Sequence, residues 1–227
     1  MKTSDDFRAG IRAGLPMVLP SILIGASFGV LAQPVMGSIA PIVMSIIVCS
    51  GAAQFAALTV LLAGGGALPA IAAGMLMNAR WLPMGLAFGP FFKGGKARRA
   101  LESNALVDAS FAIASNGDGT YDRERLLGAT IPQVTSWMAG TAIGVLFGSL
   151  IGDPHALGLD AMFPAFFLFL LFEEAHGRAP LTAAGIGALI ALALLPWAPA
   201  GTPVVVASAA ALIGLHQRFV VRKLVTA

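Results

Sequence analysis

An all-α, polytopic membrane helix bundle is the fold this sequence predicts, and three observations lead there. Apolar runs of about 17–25 residues recur along the chain, the length that a hydrocarbon core of about 30 Å requires. Hydrophobic residues fill 57% of the 227 positions and charged residues only 11%, with a mean hydropathy of +0.85. Soluble domains carry about 25% charged residues. The lysines and arginines fall in short clusters between apolar runs, which is how membrane topology is encoded. The net charge of +3 is therefore a topology signal and not a nucleic-acid patch. The reading is about six full spans plus two broken or re-entrant segments, one near Gly51 and one near Asp108. They form a single transmembrane domain, residues 1–227.

Taken in order, Arg8 and Arg12 precede a first span over residues 14–33. Pro16 and Pro20 lie near its start, where a proline costs least. Gly25 and Gly29 form a small-xxx-small face suited to close helix packing. Residues 1–10 are polar and lack a cleavage-type site, so the first span itself is expected to direct insertion. A cation-free turn at residues 33–38 leads to an apolar stretch, 39–63, and Gly64-Gly65-Gly66 follows. The next stretch, 68–88, contains Asn78-Ala79-Arg80-Trp81 and ends at the strongest basic cluster, Lys93, Lys96, Arg98 and Arg99.

Cytoplasmic loops are rich in Lys and Arg, so the N-terminus and the 93–99 loop both belong inside. Three full crossings between them would put their ends on opposite sides. Residues 39–63 resolve the conflict by entering and leaving on the outer side with a bend near Gly51. Residues 101–115 follow the same logic. They are short for a span, and Arg123 and Arg125 place both ends inside. On one helix Asn104, Asp108 and Ser115 would share a polar stripe. Residues 127–151 form the next span, with Gly140, Gly144 and Gly148 spaced four apart. A cation-free loop, 152–159, reads as external. An apolar segment, 161–172, then runs into Glu173, Glu174, His176 and Arg178. Spans at 181–198 and 204–221 complete the set, and Arg222 and Lys223 place the C-terminus inside. A weak internal echo links Leu15-Pro16…Gly25…Gly29-Val30-Leu31 to Ile131-Pro132…Gly140…Gly144-Val145-Leu146, with a slip of one residue. It would suit a transporter built from repeated halves.

The most informative stretch is residues 45–62. Its centre, Ser50-Gly51-Ala52-Ala53-Gln54-Phe55, is small and polar within a run long enough to cross a bilayer. Irregular backbone at bilayer depth survives only where it is buried in protein or lines a watery cavity. A glycine-interrupted apolar segment is the best sequence pointer to a transporter's binding site. The alternative is plain small-residue packing, with Gln54 bridging two helices. Arg80 and Asp108 are the ionisable residues within apolar stretches, and such residues are functional candidates by default. Asp108 suits a proton carrier, because burial raises a carboxyl pKa toward neutrality. Equally, it suits a packing ion pair with Arg80. Arg80 suits a solute carboxylate or a snorkelling position at the cytoplasmic surface. Ser50, Gln54 and Asn78 offer neutral hydrogen bonds, and Phe28, Phe55 and Phe111 an apolar wall.

The chain has no H-E-x-x-H, P-loop or Rossmann glycine pattern. His155, His176 and His216 share no ligand spacing, and the Glu173/His176 pair reads as a solvated interface rather than a metal site. Cys49 is the only cysteine, so no internal disulfide forms. No metal and no cofactor are expected. Without an ATP motif, transport would draw on an ion gradient or the solute's own gradient. A channel or uniporter, and an intramembrane enzyme, remain as other classes.

The motifs resemble the AzlC family, the large subunit of bacterial branched-chain amino-acid exporters. The resemblance runs through Phe7-Arg8-Ala9-Gly10, Arg12-Ala13-Gly14-Leu15-Pro16, Gly51-Ala52-Ala53-Gln54-Phe55, Asn78-Ala79-Arg80 and Gly85-Leu86. It continues through Asp108 with Phe111-Ala112, Ser136-Trp137, Gly140-Thr141 and Gly158-Leu159-Asp160. Three positions depart from the family pattern: Ala109 stands where an acidic residue is usual, and Trp81 and Met84 where His and Tyr often occur. The resemblance implies export of leucine, isoleucine, valine and methionine across the inner membrane against proton entry. It also implies a small AzlD-type membrane partner. The expected solute-binding set is Ser50, Gly51, Gln54, Phe55, Asn78 and Arg80, with Asp108 coupling to protons.

Overall fold

The computed structural model describes residues 2–79, 81–116, 118, 120–150, 165, 168, 171–172, 178–198 and 202–210. Every named element among them is helical, and one isolated bridge pairs Ser115 with Tyr121. The expected loop at 152–159, the Glu173-Glu174-His176 cluster and the basic C-terminus lie outside the described residues. In chain order the helices are α1 (Lys2–Gly14), α2 (Val18–Met36), α3 (Ala40–Val48), α4 (Gly51–Leu62), α5 (Ala67–Asn78) and α6 (Trp81–Phe88). They continue with α7 (Lys96–Ser103), α8 (Asp108–Ala114), α9 (Arg123–Phe147), α10 (Arg178–Leu194) and α11 (Thr202–Ala207). The chain divides into two compact units, Met1–Gln54 with Asn78–Leu159, and Phe55–Met77 with Asp160–Ala227.

The first unit is organised on α1, α2 and α9. A 3-10 turn, Leu15–Met17, joins α1 to α2, so Asp5–Met36 runs as 32 helical residues, long and apolar enough to cross a membrane. Pro16 lies in that turn and ends the regular α1 ladder there. Helix α9 has 25 residues, about 37 Å at 1.5 Å per residue. Asp122 caps it by accepting a hydrogen bond from the Arg125 N–H at 2.8 Å. Among the described residues, Asp5–Met36 alone passes both the length and the hydropathy requirement; Gly51–Leu62, Ala67–Asn78 and Leu181–Leu194 are apolar but shorter.

Glycine sets how α2 and α9 meet. A Cβ on Gly25 would lie 2.6 Å from the Trp137 carbonyl oxygen, and one on Gly140 would strike the Ile22 carbonyl. Gly29 likewise abuts the Thr141 carbonyl and Gly144 the Ala26 carbonyl. The four contacts are reciprocal, so the two helices run parallel. The offset that relates Gly25 to Gly140 also relates Gly29 to Gly144. The echo read in the sequence is thus a packing register: the echoing segments are each other's partners.

The distribution of side chains is inverted relative to a soluble protein. On α9, Thr130, Gln133, Ser136 and Thr141 are buried, whereas Ile143, Leu146 and Phe147 are exposed. Leu19 and Ile47 are each 65% exposed and Leu86 is 81%. Large apolar side chains turned outward over several helices need an apolar surrounding. Lipid provides it, and buried hydroxyls and amides then hold helices together where the hydrophobic effect cannot.

At the start of α9 lies an aromatic cluster. Phe88 and Phe92 pack with Leu106, Ala114 and Leu126, and Tyr121 stacks within 5.4 Å of Phe88 and 4.8 Å of Phe111. Beside it, Glu102 ties α7 to α9. Both of its oxygens accept from Arg123, and Arg98 donates to it at 2.8 Å. The Arg123 hydrogen bond chiefly, with the Arg98 bond, pulls the Glu102 carboxyl down to about 2 against the opposing effect of burial. An unfolded glutamate titrates near 4.3. The stabilisation is therefore fully present above about pH 4.3 and is lost as pH falls through about 2. Glu102→Gln is expected to lower the melting temperature in detergent by a few degrees at pH 7. The gap to the wild type should close as the buffer is taken to pH 2; a gap that persists there argues against the pairing.

In the second unit α10 packs on α11, where Gly187 approaches Ala207, and Leu189 and Leu192 face outward. Helices α4 and α5 are joined by a turn in which Gly64 takes φ +79° and the Gly65 N–H reaches the Val60 carbonyl at 2.8 Å.

Candidate functional site

The apolar stretch 39–63 is broken, two residues earlier than Gly51. Helix α3 ends at Val48, Cys49 adopts the left-handed region at φ 49°, and α4 begins at Gly51. Among the described residues Cys49 is the sole non-glycine with positive φ, a conformation that costs a side chain free energy and needs support from its surroundings. The Ser50 hydroxyl gives one support by accepting from the Ala53 N–H at 3.3 Å, as an N-cap does.

The second support is a closed ring of hydrogen bonds. The Trp137 indole N–H donates to Gln54 Oε1 at 2.9 Å. Gln54 Nε2 donates to Ser45 Oγ at 2.7 Å. Ser45 and Thr141 share a hydrogen bond at 2.9 Å, and Thr141 Oγ1 reaches the Trp137 carbonyl at 3.0 Å. A hydroxyl has one proton. Thr141 uses its own on the carbonyl, so Ser45 donates to Thr141. The ring thus leaves Trp137, crosses the break and returns to Trp137. Gln54, Ser45 and Thr141 are essentially fully buried. Gly51 makes the geometry possible: a Cβ there would sit 2.6 Å from the Trp137 ring. Gln54 therefore bridges helices, as one of the two sequence readings held, and does so at a break in the backbone.

A second interruption falls at Ala79 in the stretch 68–88. Helix α5 ends at Asn78, Ala79 forms a turn, and α6 is described from Trp81; Arg80 lies outside the described residues. The third interruption was expected near Asp108. There α7 ends at Ser103 and α8 begins at Asp108, held by Ser110, whose hydroxyl oxygen accepts from the Val107 N–H at 3.2 Å. The polar stripe of Asn104, Asp108 and Ser115 does not form, because those residues are not on one helix.

Helix α8, which opens at Asp108, and Gln54 meet α9 at different levels. Helix α8 packs on α1 and α9, and next to it the Ala105 carbonyl accepts from Thr130 at 2.7 Å. Gln54 contacts Trp137, seven positions further on, about 10 Å along the axis. Phe28 is buried on α2 between Gly25 and Gly29, whereas Phe111 belongs to the cluster around Tyr121, so these two do not form one wall. Phe55 is fully buried and belongs to the second unit. Ser45, Trp137 and Thr141 were not among the expected site residues. Their signal was available: Ser45 is the one polar side chain in Ala40–Val48, and Thr141 adjoins a packing glycine.

Buried polar side chains at helix breaks, inside a bundle whose outer faces are apolar, define an integral membrane protein of the solute-transport class. The profile of the AzlC protein family matches residues 16–151, and the chain belongs to that family. It is similar to the branched-chain amino acid transport protein AzlC of Bacillus subtilis, 26% identical over 74% of this chain and 67% of the relative. A membrane protein of Archaeoglobus fulgidus is 32% identical over 82% of this chain and 84% of its own. Inner membrane protein YgaZ of Escherichia coli is 28% identical over 84% and 83%. No solved structure matches the chain.

Proposed function

We propose that the chain is the large subunit of a secondary exporter of branched-chain amino acids in a bacterial inner membrane. Leucine, isoleucine, valine and methionine leave the cell in exchange for entering protons. A small AzlD-type membrane protein is its partner. The whole chain acts as one transport domain with about six full spans, both termini are cytoplasmic, and 39–63 enters and leaves from outside. The observation that carries the reading is the broken helix at Cys49–Ser50, closed by buried hydrogen bonds in an apolar-surfaced bundle. The name of the Bacillus subtilis relative supplies the solute class.

In this reading Ser50, Gly51, Gln54, Asn78 and Arg80 form the polar part of the passage, Phe55 adds apolar surface, and Asp108 exchanges protons near the cytoplasmic end. The Gln54 ring is the closed state of the passage. A solute that replaces one of its bonds releases the break.

The test is efflux of leucine from cells loaded with leucine-containing dipeptides, with and without the small subunit. Efflux at least tenfold above that of cells lacking the chain, collapsing when the pH gradient is dissipated, is the expected result. In proteoliposomes Asp108→Asn should remove the dependence on a pH gradient and leave assembly with the partner intact. An unchanged gradient dependence in that variant rules out Asp108 as proton carrier. Facilitated flux with no counter-ion requirement would instead support a uniporter.

A further inference from the structure

Every residue from Lys93 to Leu101 is exposed. The segment holds four cations, Lys93, Lys96, Arg98 and Arg99, and α7 buries none of its residues. A helix bathed in water on its outer side shows polar side chains there. Helix α7 does the reverse. Glu102 marks the side turned to α9, where Arg123 holds it. At about 100° per residue, Ala97, Ala100 and Leu101 fall on the opposite side together with Lys96. Leu101 is 76% exposed. Polar inward and apolar outward is the pattern of the lipid-facing helices, here on the helix that carries the densest positive charge.

Contacts within the first compact unit fix the level at which α7 stands. Helix α6, with Leu82 and Leu86 turned outward, ends in the 3-10 turn Gly89–Phe91. Phe92 then packs into the aromatic cluster. Arg99 Nη2 donates to the Gly89 carbonyl at 2.6 Å and folds α7 back beside the end of α6. Glu102 joins α7 to the first turn of α9. At that end of α9, Gly128 abuts the Phe7 carbonyl and Gly10 the Arg125 carbonyl, so the exposed Arg8 and Arg12 of α1 stand at this level too. Further along the same two helices Leu15, Leu19 and Ile131 are turned outward. The cations therefore collect where the apolar surface stops, which is the level of the lipid headgroups. One carboxylate, Glu102, lies within α7, and it is already engaged by Arg123 and Arg98. Lys93 and Lys96 have no ion-pair partner among the described residues.

We propose that α7 lies in the plane of the membrane surface and binds anionic phospholipid headgroups. Lys93 and Lys96 meet the lipid phosphates, and Leu101 with Ala97 and Ala100 rests at the acyl boundary. Surface helices hold a membrane by this combination of apolar contact and attraction to anionic lipid. Arg99 and Glu102 are positioning residues: their bonds to Gly89 and Arg123 set α7 against the ends of α6 and α9. The charge is thus displayed on a fixed platform and not on a free loop. The proposal holds whichever solute the chain carries.

The test places the full chain in nanodiscs of phosphatidylglycerol and phosphatidylcholine in equal parts and counts the retained lipids by native mass spectrometry. The wild type should retain phosphatidylglycerol over phosphatidylcholine by about tenfold, and the double variant Lys93→Gln, Lys96→Gln by about twofold at most. The preference of the wild type should also shrink in about 1 M salt, where charges are screened within about 3 Å. Independently of that variant's folding, a benzophenone side chain in place of Leu101 reads the occupant of the outer face, and on irradiation in membranes it should cross-link to phospholipid. Equal retention of the two lipids by the wild type, or an unchanged preference in the double variant, overturns the assignment. So does a benzophenone that links to another protein or a nucleic acid, or to no lipid.

Discussion

Replacing Gly144 with leucine is expected to prevent the first compact unit from forming. A Cβ at this position already strikes the Ala26 carbonyl oxygen and approaches Ala26 C and Cα at 2.9 and 3.0 Å. Those atoms are backbone of a helix and cannot rotate away. Overpacking a tight core costs about 1–3 kcal/mol for extra methylenes alone, and more where backbone must move. Here α2 would separate from α9 along the whole shared stripe, because Gly25, Gly29 and Gly140 depend on the same approach. Loss of monodisperse protein in detergent, or a melting temperature lowered by about 10 °C, is the expected readout; about 3 kcal/mol would suffice in a chain of this size. Gly85 is the control. A Cβ there meets nothing within 4 Å, and the position is inside α6. Gly85→Ala should be neutral or stabilise by about 0.5–1 kcal/mol, since alanine loses less entropy in a helix. Similar behaviour of the two variants would show that helix propensity, not close approach, sets the glycine requirement.

That interface was partly legible in the sequence. The four-residue spacing of Gly140, Gly144 and Gly148 announces a packing stripe, and the echo between residues 15–31 and 131–146 carries the register of the partner. What spacing cannot convey is which helix a stripe meets. Only the reciprocal carbonyl contacts show that the echoing segments pack on each other. The break near Gly51 was legible for a related reason: small and polar residues in an apolar run weaken a helix. Its position was displaced, because Gly51 is there to admit Trp137 while Cys49 takes the strained backbone. The turn at Ala79 was missed, since no proline or glycine marks it and Asn-Ala-Arg-Trp reads as a helix with one polar face. The stripe through Asn104, Asp108 and Ser115 was misread for the opposite reason. A periodic pattern was counted across a turn whose stop signal, the Ser110 bond to Val107, is local and conformational.

The Gln54 ring offers the sharper test of how the first break is held. Gln54→Leu keeps volume and removes both polar atoms, so Trp137 Nε1 loses the acceptor it uses and Ser45 Oγ loses its amide donor. Ser45 retains Thr141, so the uncompensated group is the indole. Leaving a buried donor unsatisfied costs about 1–3 kcal/mol in general, while hydrogen bonds between membrane helices average about 0.6 kcal/mol in double-mutant cycles. The gap between those figures is the difference between orphaning a partner and deleting a pair. Trp137→Phe removes the N–H and orphans Gln54 Oε1 instead. The double variant, Gln54→Leu with Trp137→Phe, has no orphan on that edge. Its destabilisation should therefore fall short of the sum of the singles by about 1 kcal/mol, measured as unfolding free energies in one detergent. Strict additivity would mean that water or lipid headgroups replace the lost partner, and that the ring does not seal the break. A seal that only holds the fold together should leave transport proportional to folded protein. Because Gln54 on α4 ties Ser45 on α3 to the Trp137 indole on α9 across the left-handed residue, folded Gln54→Leu protein is expected to bind leucine yet turn over at least tenfold more slowly or leak. Normal turnover per folded molecule would leave the ring a structural tie and move the gate elsewhere.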